Sequence, residues 1–163
     1  MASSTNKKVM LERFDRLPMA GFVHPFRYLQ PQGIELLSTE GNISLVPYDE
    51  VRIVSFVRQF QDEPSIRKRE FGSRPKLPGL WVRLRFRDGE FLEGILANNL
   101  LLMDPYGFEL TPPDLRANGQ RVFIPRAGVA EAQVVAVINK PQARRQPKRK
   151  GPSGAETQLE MFD

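Results

Sequence analysis

A set of short apolar landmarks occurs twice along this chain, in the same order, and leaves little choice of fold. Gly21-Phe22-Val23 is matched by Gly94-Ile95-Leu96, and Gly33-Ile34-Glu35-Leu36 by Gly107-Phe108-Glu109-Leu110. Val46-Pro47 followed by Val51 is matched by Ile124-Pro125 followed by Val129. The first two glycines stand 12 and 13 residues apart in the two sets. Glycine and proline then stand 14 and 18 apart, and the surplus falls in the loop Pro112 to Gln120. Two diverged copies of one small unit account for this order; chance similarity between two turn-rich segments is the competing explanation.

Both sets alternate with period 2, the signature of half-buried strands. In the first, strands are predicted from Val9 to Phe14, Met19 to Val23, Gly33 to Leu37, Asn42 to Pro47 and Val51 to Phe60, separated by turns at Arg16-Leu17-Pro18, Gln30 to Gly33 and Glu40-Gly41-Asn42. Residues 61–79, with Asp62-Glu63-Pro64, the charged run Arg67 to Glu70, Pro75 and Pro78, have no period and read as a connector. Alternation resumes at Trp81, where Arg83, Arg85 and Arg87 interleave with Val82, Leu84 and Phe86. Asp88-Gly89 then makes a two-residue hairpin, because both positions accept positive φ. Strands at Phe91 to Leu96, Leu100 to Met103, Gly107 to Thr111, Arg121 to Ile124 and Ala132 to Ile138 complete the second set. The 14 prolines and 12 glycines agree with many turns and few helices.

A strand, a turn, a strand near glycine, a middle strand, then an apolar-Pro segment leading into a last strand resembles the Sm-like small β-barrel. The second half carries the resemblance best, through Val82 to Gly89 with Phe91-Leu92-Glu93-Gly94, and Val122-Phe123-Ile124-Pro125 to Val134-Val135. The whole chain is similar to members of an uncharacterised bacterial family with this two-part layout. The resemblance implies an all-β fold of two tandem Sm-like or SH3-like small β-barrels. Their expected limits are 1–60 and 80–139, with a connector at 61–79 and a disordered basic tail at 140–163.

The chemistry available is narrow. Cysteine is absent, which removes disulfides, thiolate zinc sites and a cysteine nucleophile together. His24 is the single histidine, so no two-histidine metal site can form, and any His-dependent triad would have to be built on His24 alone. Asp49-Glu50 and Asp62-Glu63 are sequence neighbours, which on a strand point to opposite faces and do not make an acid/base dyad. No phosphate-loop or dinucleotide fingerprint occurs. A non-enzymatic protein without cofactor or metal is expected. No apolar run reaches membrane-spanning length and residues 1–9 lack a signal-peptide core, so a cytoplasmic protein with no membrane role is expected.

Two features could contact nucleic acid. Arg83, Arg85 and Arg87 share one face of a strand about 7 Å apart, near the phosphate repeat of an extended strand. The same row also serves solubility and cross-strand pairing with Glu90 and Glu93. The second feature is the basic segment from 140 to 150, which holds Lys140, Arg144, Arg145, Lys148, Arg149 and Lys150 and no acid. It accounts for most of the formal +5 charge, since residues 1–139 carry 18 basic and 16 acidic groups.

Beyond that segment, three large apolar side chains reappear in Gln158-Leu159-Glu160-Met161-Phe162-Asp163. This peptide resembles the bacterial sliding-clamp-binding motif of Gln, an aliphatic residue, a small or acidic residue, Leu or Met, then Phe. The resemblance implies that Gln158 makes rim contacts, Leu159 anchors beside them, and Met161 with Phe162 fills an apolar pocket. Met161 stands where Leu is commoner, and a flexible thioether tolerates that exchange. Displaying two or three anchors on a hydrophilic segment is how short linear ligands reach their pockets.

The leading expectation is therefore an adaptor tethered to the DNA sliding clamp, associated with DNA replication or repair. Its basic segment would touch DNA. The alternative is an Sm-like RNA-binding protein using the barrels and the arginine row. A third reading is a protein-interaction scaffold, with self-association through exposed edge strands.

Overall fold

The computed structural model describes residues 5–62, 66–115 and 119–140. Their strands, in chain order, are β1 (Lys7–Arg13), β2 (Met19–Val23), β3 (Leu29–Gln30), β4 (Gly33–Ser38), β5 (Ile43–Val46), β6 (Val51–Val57) and β7 (Ile66–Lys68). These are followed by β8 (Gly79–Phe86), β9 (Phe91–Leu96), β10 (Gly107–Leu110), β11 (Asp114–Leu115), β12 (Gly119–Pro125) and β13 (Val129–Ile138). The chain is all-β, as its alternation predicts. Single 3-10 turns at Tyr48–Glu50, Leu100–Leu102 and Arg126–Gly128 are the helical elements among the described residues.

One expected strand is absent. Leu100 to Met103 does not extend; Asn99 Oδ1 accepts from the Leu101 amide at 3.0 Å and starts the 3-10 turn. An Asn at that position offers the backbone a local partner in place of a ladder. Part of the expected connector is structured, because β7 pairs antiparallel with β11.

The largest sheet runs β10-β12-β6-β1-β2-β4-β3, with β5 on β4, and a second runs β13-β8-β9. The sheets do not close into the two barrels that the resemblance implies. The reason lies at β6, whose two edges are taken by β1 and by β12 of the second half, leaving no edge to close onto β5. The same pairing makes both halves share one sheet.

The ladders of the halves correspond residue for residue. β1 sets Val9 against Gly21 and Leu11 against Met19; β8 sets Val82 against Gly94 and Leu84 against Leu92, each 73 positions on (82 less 9). β6 pairs β1 with a bulge at Glu12/Arg13, and β13 pairs β8 with one at Val129/Glu131. β4 sets Glu35 against Leu45, and β10 sets Glu109 against Phe123. Even the crowding recurs. A side chain on Gly21 would meet Leu36 at 2.9 Å, and one on Gly94 would meet Leu110 at 2.8 Å. At Gly33 a Cβ would strike the Val46 carbonyl, and at Gly107 the Ile124 carbonyl, so only glycine lets these strands approach.

Two apolar clusters form the core, and each borrows from the other half. The first gathers Val9, Leu11, Ile34, Leu36, Val54 and Phe56 and takes in Phe123. The second gathers Val82, Leu84, Phe86, Leu92 and Ile124 and takes in Phe14 and Ile53. Tyr28 packs edge-on against Phe56 at 5.7 Å and Phe123 at 6.1 Å, so one aromatic group ties both halves. Truncating a wholly buried Phe such as Phe56 or Phe123 costs about 3–5 kcal/mol.

Candidate functional site

The arginine row lies on β8 as the alternation predicts. Val82, Leu84 and Phe86 are buried while Arg83, Arg85 and Arg87 face away from that core. They are not three free cations. Arg83 Nη1 donates to Glu93 Oε2 at 2.8 Å and its guanidinium lies 3.8 Å from the centre of the Phe91 ring. Glu93 is 6% exposed, and its other oxygen accepts from Trp81 Nε1 at 3.1 Å and the Phe71 amide at 3.0 Å. A carboxylate so enclosed is tolerated because donors surround it. Arg85 pairs with Glu131 of β13 at 3.3 Å, with both side chains about half exposed. Arg87 donates to the Asp49 carbonyl and covers the Phe14 ring at 3.9 Å. The row therefore braces β8 against β9, β13 and the Tyr48–Glu50 turn.

A second arginine centre lies outside the row. Arg52 on β6 donates to Glu12 of β1 at 2.9 Å and to Asp88 of the β8-β9 hairpin turn. Its guanidinium also lies 4.9 Å from the Phe14 ring centre. Burial by itself raises the Asp88 carboxyl, but the Glu90 amide and Arg52 outweigh it and hold the carboxyl below its ordinary value. Burial likewise works against the charged Arg52, and the bonds to Glu12 and Asp88 reverse that effect. The signal for this clamp was Arg52 itself, a charge inside the apolar run Val51 to Val57.

Two clefts occupy equivalent places in the two halves. The first, about 400 Å³, is lined by Phe22, His24, Glu35, Leu37 and Ile43 among others. The second, about 350 Å³, includes Ile95, Ala97, Glu109, Thr111 and Arg121. Position for position, Phe22 corresponds to Ile95, Glu35 to Glu109, and Ile43 to Arg121, so the two have the same walls and different chemistry. Arg121 pairs with Glu109 across the second cleft. His24 Nδ1 accepts from the Phe26 amide at 3.2 Å. Among the described residues no group of three or more His, Cys, Asp or Glu could hold a metal ion.

The remaining candidate residues, Arg144, Arg145, Lys148, Arg149 and Lys150 and the clamp-like Gln158, Leu159, Met161 and Phe162, lie outside the described residues. No helix among the described residues is long and apolar enough to cross a membrane. No curated protein and no solved structure matches the chain. A protein-family model matches residues 5–136, and the chain belongs to that family, DUF6982, described as a family of unknown function.

Proposed function

We propose that this protein is a non-enzymatic adaptor tethered to the bacterial DNA sliding clamp through Gln158, Leu159, Met161 and Phe162, and that it serves DNA replication or repair in the cytoplasm. The observation that carries this reading is the peptide itself. Leu159, Met161 and Phe162 are a compact apolar group following a segment, 140–157, that has no large apolar residue. The basic residues Arg144, Arg145, Lys148, Arg149 and Lys150 would add salt-sensitive contacts to the DNA that the clamp encircles. The body is read as two diverged copies of an Sm-like unit, on the support of the matching ladder registers and paired glycines.

The RNA-binding alternative has less support, because Arg83 and Arg87 are committed to partners within the protein. The experiment that tests the adaptor is binding of purified clamp to the full chain and to a Leu159→Ala, Phe162→Ala variant. Loss of binding in the variant supports it; equal binding, or none by either chain, overturns it.

A further inference from the structure

The joint between the halves is built once inside the chain, and the strands able to build it again are left open. In the inner joint Phe123 of β12 faces Val54 of β6, and Val122 faces Ser55. The residue correspondence places β13 where β6 stands and β5 where β12 stands, both 78 positions away (132 less 54, 123 less 45). Yet β13 pairs with β8 alone and β5 with β4 alone among the described strands.

Exposure follows the vacancy. Val54, Phe56 and Val57 are 0%, 1% and 4% exposed under β12, whereas Val134 and Val135, the counterparts of the last two, are 60% and 47% exposed. Phe123 is 2% exposed, and its counterpart Leu45 is 48% exposed beside Ile43 at 69%. These apolar side chains occupy the positions that a neighbouring strand buries in the inner joint. Neither edge is guarded in the usual way: β5 is Ile-Ser-Leu-Val, and Glu131 is the one charge on β13. Lysine or proline would normally blunt an edge strand against further pairing.

We propose that β13 of one copy pairs antiparallel with β5 of the next, Leu45 opposite Ala132 and Ser44 opposite Gln133. Copies of this chain then assemble head to tail through the joint that already holds the halves together. Such a contact is heterologous and gives a ring when its rotation closes. The outer joint is weaker than the inner one, because the place of Arg52, which clamps Glu12 and Asp88, is taken by Ala130. Assembly is therefore concentration-dependent. The proposal does not depend on clamp binding.

The chain has no cysteine, so the register is open to direct test. Full-length Leu45→Cys and Ala132→Cys single variants are mixed and oxidised, beside a mixture of Leu45→Cys with Val137→Cys, which is out of register. Light scattering is run on the unmodified chain over a concentration series and on Leu45→Glu, with circular dichroism confirming its fold. The expected results are a mass that rises with concentration, its loss to that of one chain in Leu45→Glu, and disulfide dimers in the in-register mixture alone. A single-chain mass at every concentration, an unchanged mass in folded Leu45→Glu, or equal cross-linking of both mixtures would overturn the proposal. A Leu45→Glu chain that fails to fold leaves the decision to the cross-linking pair.

Discussion

Arg52 reaches across the joint between the halves to bind Asp88, a residue 36 positions away at the tip of a hairpin. The pair closes the end of the joint that the β6-β12 ladder opens, and Phe14 lies under the same guanidinium. Replacing Asp88 with Asn keeps the shape of the turn and removes the charge. Thermal or urea unfolding of Asp88→Asn should show a loss of about 1–3 kcal/mol, the cost of leaving a half-buried donor without its charged partner.

The same pair sets an acid limb of stability. Asp88 has its carboxyl held below the ordinary value of 3.8 in the folded chain. The unfolded chain takes up that proton first, so the contribution of Asp88 is complete above the ordinary value and is lost as pH falls through the folded one. Urea midpoints from neutral pH downward should fall less steeply for Asp88→Asn than for the unmodified chain. Parallel curves would show that Asp88 does not contribute.

Glu93 is the buried acid on which Arg83, Trp81 and the Phe71 amide converge. Glu93→Ala strands all three donors and should cost about 1–3 kcal/mol, the range for leaving part-buried donors without their acceptor, since the charge left behind on Arg83 reaches solvent. A double-mutant cycle with Arg83→Ala measures the coupling. Additive losses would place Arg83 among solvated surface charges and return it to the pool available for phosphate.

Tyr28 gives the alkaline limb. Burial, reinforced by the charge of Glu109, pushes its phenol well above the ordinary value of 10.0. Above that pH the unfolded chain releases a proton that the folded chain keeps, so stability falls as pH rises past it. Tyr28→Phe should lose less stability between pH 9 and about 11 than the unmodified chain, followed by urea midpoints.

Local patterns made much of the fold legible. Val82 to Phe86 alternates cleanly and Asp88-Gly89 marks the reversal, but the turn is one residue longer than the two-residue type expected: the Phe86 amide donates to the Glu90 carbonyl across Arg87-Asp88-Gly89, and only Gly89 takes a positive φ, 92°. β3, β7 and β11 are two or three residues long, too short to carry a period. The β6-β12 joint is a non-local pairing and leaves no turn signal. Its trace is the run Val51 to Val57, where burial nearly throughout replaces alternation, the mark of a strand covered on both faces. Cross-strand pairing of Glu93 with the arginine row is legible in the alternation; its burial is not, because that depends on Trp81 and on Phe71, which belongs to the segment expected to be a connector.

The adaptor reading is tested most directly by calorimetric titration of purified sliding clamp with a synthetic peptide of residues 156–163, repeated in competition with the full chain. The account predicts that the peptide binds and displaces the full chain, and that Leu159→Ala with Phe162→Ala abolishes both effects. A full chain that binds the clamp undisturbed by the peptide, or a clamp that takes up neither, would contradict it.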